Sequence, residues 1–315
     1  MKELTFEEIK AITFGAVQIR PENGGLRMLK CTDAQIDAWV KLAEWFRNTV
    51  KPATGVRLDF HTDSDVFGFE GEGGKFEILI DGGTQGQFDA TAQEGVISLP
   101  LPAGEHRVTL LFPFHDIEGI LKKVVLSDGA AVTAHKYDRK FLFIGDSITQ
   151  GWKSDYDSLC YVYRTAEHFN ADFIDYGVGG GYYHPSVFEK FDYDPEVIFL
   201  ANGTNDFGWF KTLDEMRTNV KEYLDLVANA YAGKPIFYIM PTWRADEDRP
   251  KEIGTFAQVR DLLREAGEEH GFTIIDGYDL IPHTPYFFQD DGLHPNSIGF
   301  GMMADNLIAR MEKKQ

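Results

Sequence analysis

Cysteine is scarce in this sequence: Cys31 and Cys160 are the only two among 315 residues. Two cysteines so far apart exclude a disulfide framework and a cysteine zinc site, so we expect both to be reduced core residues. The sequence has no apolar run of about eighteen residues, which predicts no membrane-spanning helix. The N-terminal residues show no apolar signal segment, which favours a cytoplasmic protein; if a leader has been removed from the chain, a secreted one is expected.

Positive charge is also in short supply. The chain has 31 Lys and Arg against 50 Asp and Glu, a formal net charge of −19. Proteins that bind nucleic acids use basic surfaces to release counterions from phosphates, and anionic membrane surfaces repel an acidic protein. We therefore predict neither a nucleic-acid partner nor a membrane partner, and the oligomeric state stays unknown.

Aromatic residues are abundant, with 25 Phe and an aromatic fraction of 14%. This excess favours aromatic-rich β cores, and surfaces that contact sugars or acyl groups are the alternative. The hydrophobic fraction of 43% is ordinary for a folded globular protein. The length suggests about two domains, and the character of the sequence changes near residue 135.

Residues 1–135 are predicted to form a jelly-roll-like β-sandwich domain. Short stretches with alternating apolar residues, separated by Gly and Pro turns, are typical of half-buried strands in such a fold. A capping box beginning at Thr32 predicts one short helix before them. The strand stretches are GVRLDFH at 55–61, KFEILIDGG at 75–83 and HRVTLLFPF at 106–114.

Residues 136–315 alternate apolar strand segments with amphipathic helices, which predicts an α/β fold. Five such strands imply a flavodoxin-like doubly wound parallel sheet, whose ligands bind beyond the carboxyl ends of the strands. Helices are expected after Thr212, around Phe256–Ala266, and from Asn296 towards Arg310. The five strand segments are FLFIG, DFIDYG, VIFLANG, PIFYIMP and FTIID.

Four polar motifs follow these segments or precede the last helix. Each alone is weak; a serine in such a turn, for example, is usually a plain helix cap. The glycine loop does not fit a dinucleotide fingerprint, because Tyr182 stands where a third glycine is required. Asp291 lies three residues before His294 and can hold the imidazole through Nδ1. The motifs are GDSI at 145–148, GVGGG at 177–181, GTND at 203–206 and DGLH at 291–294.

Taken together, the motifs resemble the blocks of the SGNH hydrolases, or GDSL-type esterases and acylhydrolases, over about residues 139–313. The resemblance implies that Ser147 is the nucleophile, His294 the base and Asp291 its orienting partner. It implies oxyanion donors at the Ser147 N–H, the Gly180 N–H and the Asn205 side chain, with Gly179 and Gly181 as alternatives to Gly180. The sequence departs from the family pattern at Ile148, where Leu is usual, and at Asp175, where Asn is common.

These residues predict an acyl-enzyme mechanism that requires no metal and no organic cofactor. The nine histidines offer no metal-ligand spacing such as HExxH. A β-sandwich ahead of such a domain is similar to two-domain carbohydrate esterases and to acyltransferase relatives. We therefore predict a serine esterase that removes short O-acyl groups, acetyl above all, from a carbohydrate or other small alcohol. The alternatives are an acyltransferase, a longer-chain acylhydrolase, or a carbohydrate-binding protein with secondary hydrolase activity.

Aromatic residues on the predicted catalytic loops are candidates for substrate contact, with local packing as the alternative for each. They are Trp152, Tyr182, Trp209 and Trp243. For the N-terminal domain we expect a role in shaping one wall of the cleft rather than that of an independent binding module, because the linker near residues 130–140 is short and not rich in Gly or Ser.

Overall fold

The computed structural model describes residues 1–92, 95–115 and 117–313. The first part of the chain contains β1 Lys2–Glu3, α1 Phe6–Ala11, β2 Thr13–Phe14, β3 Gln18–Glu22, β4 Gly25–Leu29, α2 Asp33–Leu42, α3 Arg47–Val50, β5 Arg57–Thr62, β6 Val66–Glu72, β7 Lys75–Ile80, β8 Gly83–Asp89, β9 Ile97–Pro100, β10 His106–Leu111, β11 Ile120–Leu126 and β12 Thr133–Ala134. The second part contains β13 Arg139–Gly145, α4 Tyr161–His168, β14 Ala171–Gly177, β15 Val197–Ala201, α5 Asp206–Trp209, α6 Leu213–Ala230, β16 Ile236–Ile239, α7 Phe256–Glu269, β17 Thr273–Ile275 and α8 Ser297–Glu312.

The strands before residue 135 form two antiparallel sheets. One has the order β3-β4-β11-β6-β9 with β1 on β11, and the other has the order β12-β5-β10-β7-β8 with β2 on β5. Apolar side chains from both sheets meet in a single core, among them Phe67 and Val124 from the first sheet and Phe60 and Val108 from the second. The predicted β-sandwich is confirmed, and its strand order is compatible with a jelly roll.

Strands β5, β7 and β10 of the second sheet are not half-buried as their alternating pattern predicts. Arg57, Asp59, Glu77 and Thr109 belong to the face opposite the sandwich core, yet each is at most 2% exposed. The prediction was wrong because the parallel-sheet part of the molecule covers this face. The Arg57 guanidinium, for instance, lies 4.3 Å from the centre of the Phe173 ring.

The strands after residue 138 form a parallel sheet of order β14-β13-β15-β16-β17, all five at the predicted segments. Numbered within this part of the chain, the order is 2-1-3-4-5, that of the flavodoxin-like doubly wound fold. Helices α6 and α7 pack on one face of the sheet, and α4 and α8 pack on the other. The predicted α/β fold class is confirmed.

One segment of the first part of the chain packs into the core of the second. Trp39, Phe46 and Val50 share a hydrophobic cluster with Ile144 and Tyr176 of the parallel sheet. The indole N–H of Trp39 donates a hydrogen bond of 2.9 Å to the Tyr176 hydroxyl. Residue 135 therefore separates the strands of the two parts but not their cores, and the division into two domains stays a prediction.

The helix starts expected from the sequence are present. The side chains of Thr32, Thr212 and Asn296 each accept a hydrogen bond from the first turn of α2, α6 and α8. Both cysteines are buried and unbridged, as predicted. Within the described ranges, no helix is long and apolar enough to cross a membrane.

Candidate active site

Three strands of the parallel sheet end level with one another. Gly145, the last residue of β13, pairs in register with Gly177 of β14 and with Ala201 of β15. The loops that follow carry the GDSI, GVGGG and GTND motifs, so they leave the sheet side by side at its carboxyl edge. Because the three loops begin at the same level of the sheet, motifs that are far apart in the sequence lie close together in the fold.

Ser147, His294 and Asp291 form a continuous hydrogen-bonded chain. His294 Nε2 lies 2.8 Å from Ser147 Oγ, and His294 Nδ1 lies 2.8 Å from Asp291 Oδ2. A carboxylate only accepts, so Nδ1 carries the proton and Nε2 is left to accept from the serine hydroxyl. The other carboxylate oxygen, Asp291 Oδ1, accepts the backbone N–H groups of Leu293 and His294, each at 3.0 Å.

Burial and two nearby cations keep His294 neutral, and Asp291 fixes its orientation. Burial lowers the pKa of His294 below its ordinary value, although Asp291 acts in the opposite direction; Lys153 and Arg244 lower it further. Burial also acts to raise the pKa of Asp291, but the Lys153 ammonium at 2.7 Å and the N–H donors of the turn hold it well below its usual range. The imidazole is therefore a free base beside a fixed carboxylate.

The glycine loop after β14 presents one uncommitted N–H to the site. Gly179 donates to Gln150 Oε1 at 2.6 Å and Gly181 donates to Val178 O at 2.8 Å. Gly180 lies between them with a φ of +75°, a left-handed conformation that favours glycine. Within the described part of the chain its N–H has no hydrogen-bond partner. Asn205 lies across the loop and donates through Nδ2 to Gly181 O at 3.0 Å.

The same loop rests on side chains from the first part of the chain. The buried Lys30 donates to Gly177 O at 2.5 Å, and Thr49 Oγ1 donates to Gly179 O at 3.0 Å. A Cβ at Gly180 would lie 2.2 Å from Trp45 Cη2, so the Trp45 ring covers this glycine. Sequence reasoning missed all three residues, because they belong to a region whose pattern indicates only a helix and sandwich strands.

Two of the four predicted aromatic contact residues come together. Trp209 stacks on Tyr182 with ring centres 4.9 Å apart, and its indole N–H donates to Gly180 O at 3.1 Å. Trp209 also lies nearly parallel to Trp45, with ring centres 6.2 Å apart. Both indoles are well exposed, 39% for Trp209 and 43% for Trp45, while Tyr182 is buried beneath them.

The other two predicted contact residues lie apart from this aromatic group. Trp152 packs near the His115 ring at 5.4 Å. Trp243 packs against Phe288 at 5.0 Å. The structure thus places Trp209 and Tyr182 beside the glycine loop and gives Trp152 and Trp243 packing partners of their own.

Two buried carboxyl groups, those of Asp146 and Asp206, accept hydrogen bonds from the loops of the candidate site. Burial raises the pKa of Asp146 to about 7, and its Oδ1 accepts the Ile148 N–H at 2.8 Å. Burial likewise raises the pKa of Asp206 to about 7, and its Oδ1 accepts the Tyr183 N–H at 3.1 Å. Among the residues that the structure describes, no cluster of His, Cys, Asp and Glu could hold a metal ion.

Residues 143–301 match the GDSL-like lipase/acylhydrolase family. The match spans half of the chain and contains all four motifs, so the protein belongs to this family and is a carboxylic ester hydrolase. A search of curated proteins found no match by sequence.

Solved structures match nearly the whole chain. A salicylyl-acyltransferase from a tetracycline biosynthetic pathway superimposes with a TM-score of 0.82 at 19% identity, covering 96% of this chain and 94% of that one. A family two carbohydrate esterase from Clostridium thermocellum, in complex with cellohexaose, gives a TM-score of 0.71 at 17% identity, covering 96% and 98%. An acetyl xylan esterase from Butyrivibrio proteoclasticus gives 0.62 at 18% identity, covering 82% and 90%. At these identities the likeness shows a shared fold of sandwich and parallel sheet.

Proposed function

We propose that this protein is a serine esterase that hydrolyses short O-acyl esters, acetyl esters above all, of a carbohydrate or other small alcohol. The observation that carries the proposal is the chain of hydrogen bonds from Asp291 through His294 to Ser147, with both distances from the imidazole at 2.8 Å. This arrangement is the one required to activate a hydroxyl nucleophile.

In the proposed mechanism His294 Nε2 takes the proton of Ser147 as Oγ attacks the ester carbonyl carbon. The C–O bond to the alcohol then breaks, and His294 returns the proton to the leaving alcohol. Water attacks the acyl-enzyme in the same way and releases the acid. Asp291 keeps the imidazole in the required tautomer and stabilises its transient positive charge, and no metal or organic cofactor takes part.

The oxyanion that forms during each attack needs donors aimed at it. We assign this role to the N–H groups of Ser147 and Gly180 and to the Asn205 amide. The choice of Gly180 over its neighbours is supported by the N–H groups of Gly179 and Gly181, which are already donated within the loop. Each donor of this kind contributes about 3–4 kcal/mol to stabilising the transition state.

The aromatic residues beside the glycine loop support a carbohydrate or similar polar alcohol as the alcohol part of the substrate. The exposed faces of Trp209 and Trp45 offer apolar surface next to the polar Asn205 and Gly180, the combination that stacks a sugar ring and fixes its hydroxyl groups. The carbohydrate esterases among the structural matches are consistent with this class of substrate.

The proposal predicts that Ser147→Ala abolishes hydrolysis of p-nitrophenyl acetate. Without the Oγ nucleophile no acyl-enzyme forms, so kcat/KM should fall at least about a thousandfold. Ser186→Ala is the matched control: Ser186 is exposed, its only hydrogen-bond partner among the described residues is His184, and its loss should leave the rate unchanged. Unchanged turnover in Ser147→Ala, with normal folding, would reject the proposal. A panel of acyl-chain lengths and acetylated sugars on the wild type then separates a deacetylase from a longer-chain acylhydrolase.

A second candidate is acyl transfer to an alcohol at the same serine. It is favoured by the salicylyl-acyltransferase match, which extends over 96% of this chain with a TM-score of 0.82. Transfer differs from hydrolysis only in which nucleophile, alcohol or water, attacks the acyl-enzyme. Measuring acylated product against free acid at rising acceptor concentration decides between them.

A carbohydrate-binding protein with secondary hydrolase activity is less well supported. The part of the chain that forms the parallel sheet covers the outer face of β5 in the sandwich. Helix α2 packs into the hydrophobic core of the parallel sheet. These contacts support the prediction that the sandwich shapes a wall of the cleft.

A further inference from the structure

A cavity of about 320 Å³ opens beside Asn205. Its walls come from the loop that follows β15, from α5, and from the segment between β16 and α7. Asn205 is one of the donors assigned to the oxyanion, so a substrate whose carbonyl oxygen lies there has this space available for its acyl part or its alcohol part. The lining residues are Thr204, Asn205, Gly208, Trp209, Arg244 and Lys251.

Among the residues that the structure describes, the lining contains two cations and no carboxylate, in a protein whose formal net charge is −19. Arg244 is buried at 7% exposure, and each of its three guanidinium nitrogens makes a hydrogen bond. Its Nη2 lies 3.1 Å from Asp246 Oδ2, its Nε also contacts that carboxylate, and its Nη1 donates to Thr204 O at 2.7 Å. Arg244 and Asp246 thus neutralise each other and form a fixed wall.

Lys251 supplies charge that this pair leaves unbalanced. Its Nζ lies 3.4 Å from Asp246 Oδ2, a carboxylate that already binds Arg244, and 4.4 Å from the centre of the Phe207 ring. An ammonium carries three N–H donors, so donors remain for a ligand. With the side chain 33% exposed, the ammonium is reachable from the cavity and held in place by the aromatic face.

We propose that this cavity binds a carboxylate of the substrate through Lys251, while the indole of Trp209 packs against the apolar atoms that carry it. The inference rests on the proposed esterase function and narrows it to esters that bear a negative charge, such as acylated sugar acids. Arg244, Lys251 and Asp246 together carry one net positive charge, which one carboxylate of the substrate would balance.

Two pairs of esters test the proposal, one for each side of the ester bond. On the alcohol side, 4-acetoxybenzoate is compared with its methyl ester; on the acyl side, mono-p-nitrophenyl adipate is compared with its methyl ester. Each rate is corrected for hydrolysis in buffer alone. In the wild type, kcat/KM for the charged member of one pair should exceed that of its neutral partner by about tenfold. The preference should weaken from about 0.05 to about 0.5 M NaCl, because salt screens exposed charges.

Lys251→Met should reduce this charged-to-neutral ratio about tenfold, since the ammonium is lost and the stem is kept. The matched control is Lys211→Met, which removes another exposed lysine, paired with Glu252 and outside the cavity, and should leave the ratio as in the wild type. An inhibition experiment needs no variant. Benzoate should inhibit the wild type competitively and more tightly than benzyl alcohol.

A wild-type ratio near one in both pairs, a ratio that survives in Lys251→Met, or equal inhibition by benzoate and benzyl alcohol overturns the carboxylate site. The esterase proposal fails separately, when Ser147→Ala still hydrolyses the neutral esters. The two failures are thus distinguishable in one set of assays.

Discussion

Lys153 connects the loop of Ser147 to the turn that carries Asp291 and His294. Its ammonium donates to Asp291 Oδ2 at 2.7 Å, and its backbone oxygen accepts the Gln289 side chain at 2.8 Å. The residue adopts a φ of +64°, which costs energy for a side chain with a Cβ and is maintained by these contacts on both sides. Lys153 is therefore a positioning residue that acts through Asp291 on His294.

Removing the positive charge of Lys153 should shift the pH dependence of esterase activity. Burial lowers the pKa of His294 first of all, and the nearby Lys153 cation adds to this effect. In Lys153→Met the imidazole binds a proton more readily, so its pKa rises and the acid limb of kcat/KM moves to higher pH. Lys153→Arg keeps the charge and should restore the limb. A purely structural role would lower the rate in Lys153→Met without moving the limb, and that outcome contradicts the prediction.

Among single residues, the sequence predicts those that belong to a short local motif and misses those that do not. Asp291 and His294 are three residues apart in one turn, and Ser147 lies two residues after a strand, so the sequence marks all three as candidates, and the resemblance to the SGNH hydrolases implies a role for each. Lys153 could not, because an exposed lysine in a loop has no pattern. The choice among the three adjacent glycines also depends on hydrogen bonds that only the folded loop reveals.

At the scale of elements, the glycine loop is supported by a segment from the other part of the chain. Thr49, in α3, donates to Gly179 O, while Gln150 of the nucleophile loop accepts from Gly179 N and donates to Thr49 O at 3.0 Å. Gly179 is thus held from both sides, next to the proposed donor Gly180. The position of the oxyanion donor depends on α3.

Thr49→Val should lower kcat with little change in KM. Valine keeps the shape of threonine but loses the hydrogen bond to Gly179 O, and the loop then positions Gly180 less well in the transition state. The loss of one such bond corresponds to about a fivefold effect. Thr49→Ser keeps the hydroxyl and should stay close to the wild type in steady-state kinetics. Equal kcat in the two variants would show that the hydrogen bond does not position the loop.

The elements themselves were predictable where one physical rule dominates. The five buried parallel strands are continuous apolar runs, and the helix starts carry Thr or Asn caps, so both sets could be located from the sequence. The alternating pattern of β5 gave a wrong prediction of burial because the polar residues of such a pattern are expected to be exposed. Arg57 and Asp59 are buried instead, in a network of charges that no single-strand pattern encodes.

For the whole molecule, buried carboxyl groups make stability depend on pH. Burial raises the pKa of Asp146, Asp175 and Asp206 to about 7 and that of Asp157 to about 8. A group whose pKa is raised on folding contributes stability that is present below its unfolded value, near 4, and lost as pH rises through the folded value. The general repulsion within a chain of net charge −19 also grows with pH.

We therefore expect Tm to be higher at pH 5.5 than at pH 8, by about 5 °C, in a thermal melt followed by circular dichroism. Asp157→Asn is the control, because its side-chain oxygen can still accept the Gly55 N–H while no charge forms at high pH. The difference in Tm between the two pH values should be smaller in this variant. A Tm that is flat or rises towards pH 8 in the wild type would contradict the prediction.

The charged contact between the sandwich and the parallel sheet has a consequence for the protein's evolution. Arg57 pairs with Asp172 at 3.1 Å, and Arg107 bridges Asp59 at 2.7 Å and Glu167 at 2.6 Å. A buried ion that loses its partner costs about 3–5 kcal/mol. Recombination that joins this sandwich to a foreign hydrolase would remove the Asp172 and Glu167 partners, so we expect substitutions at this contact to be tolerated best when both sides change together.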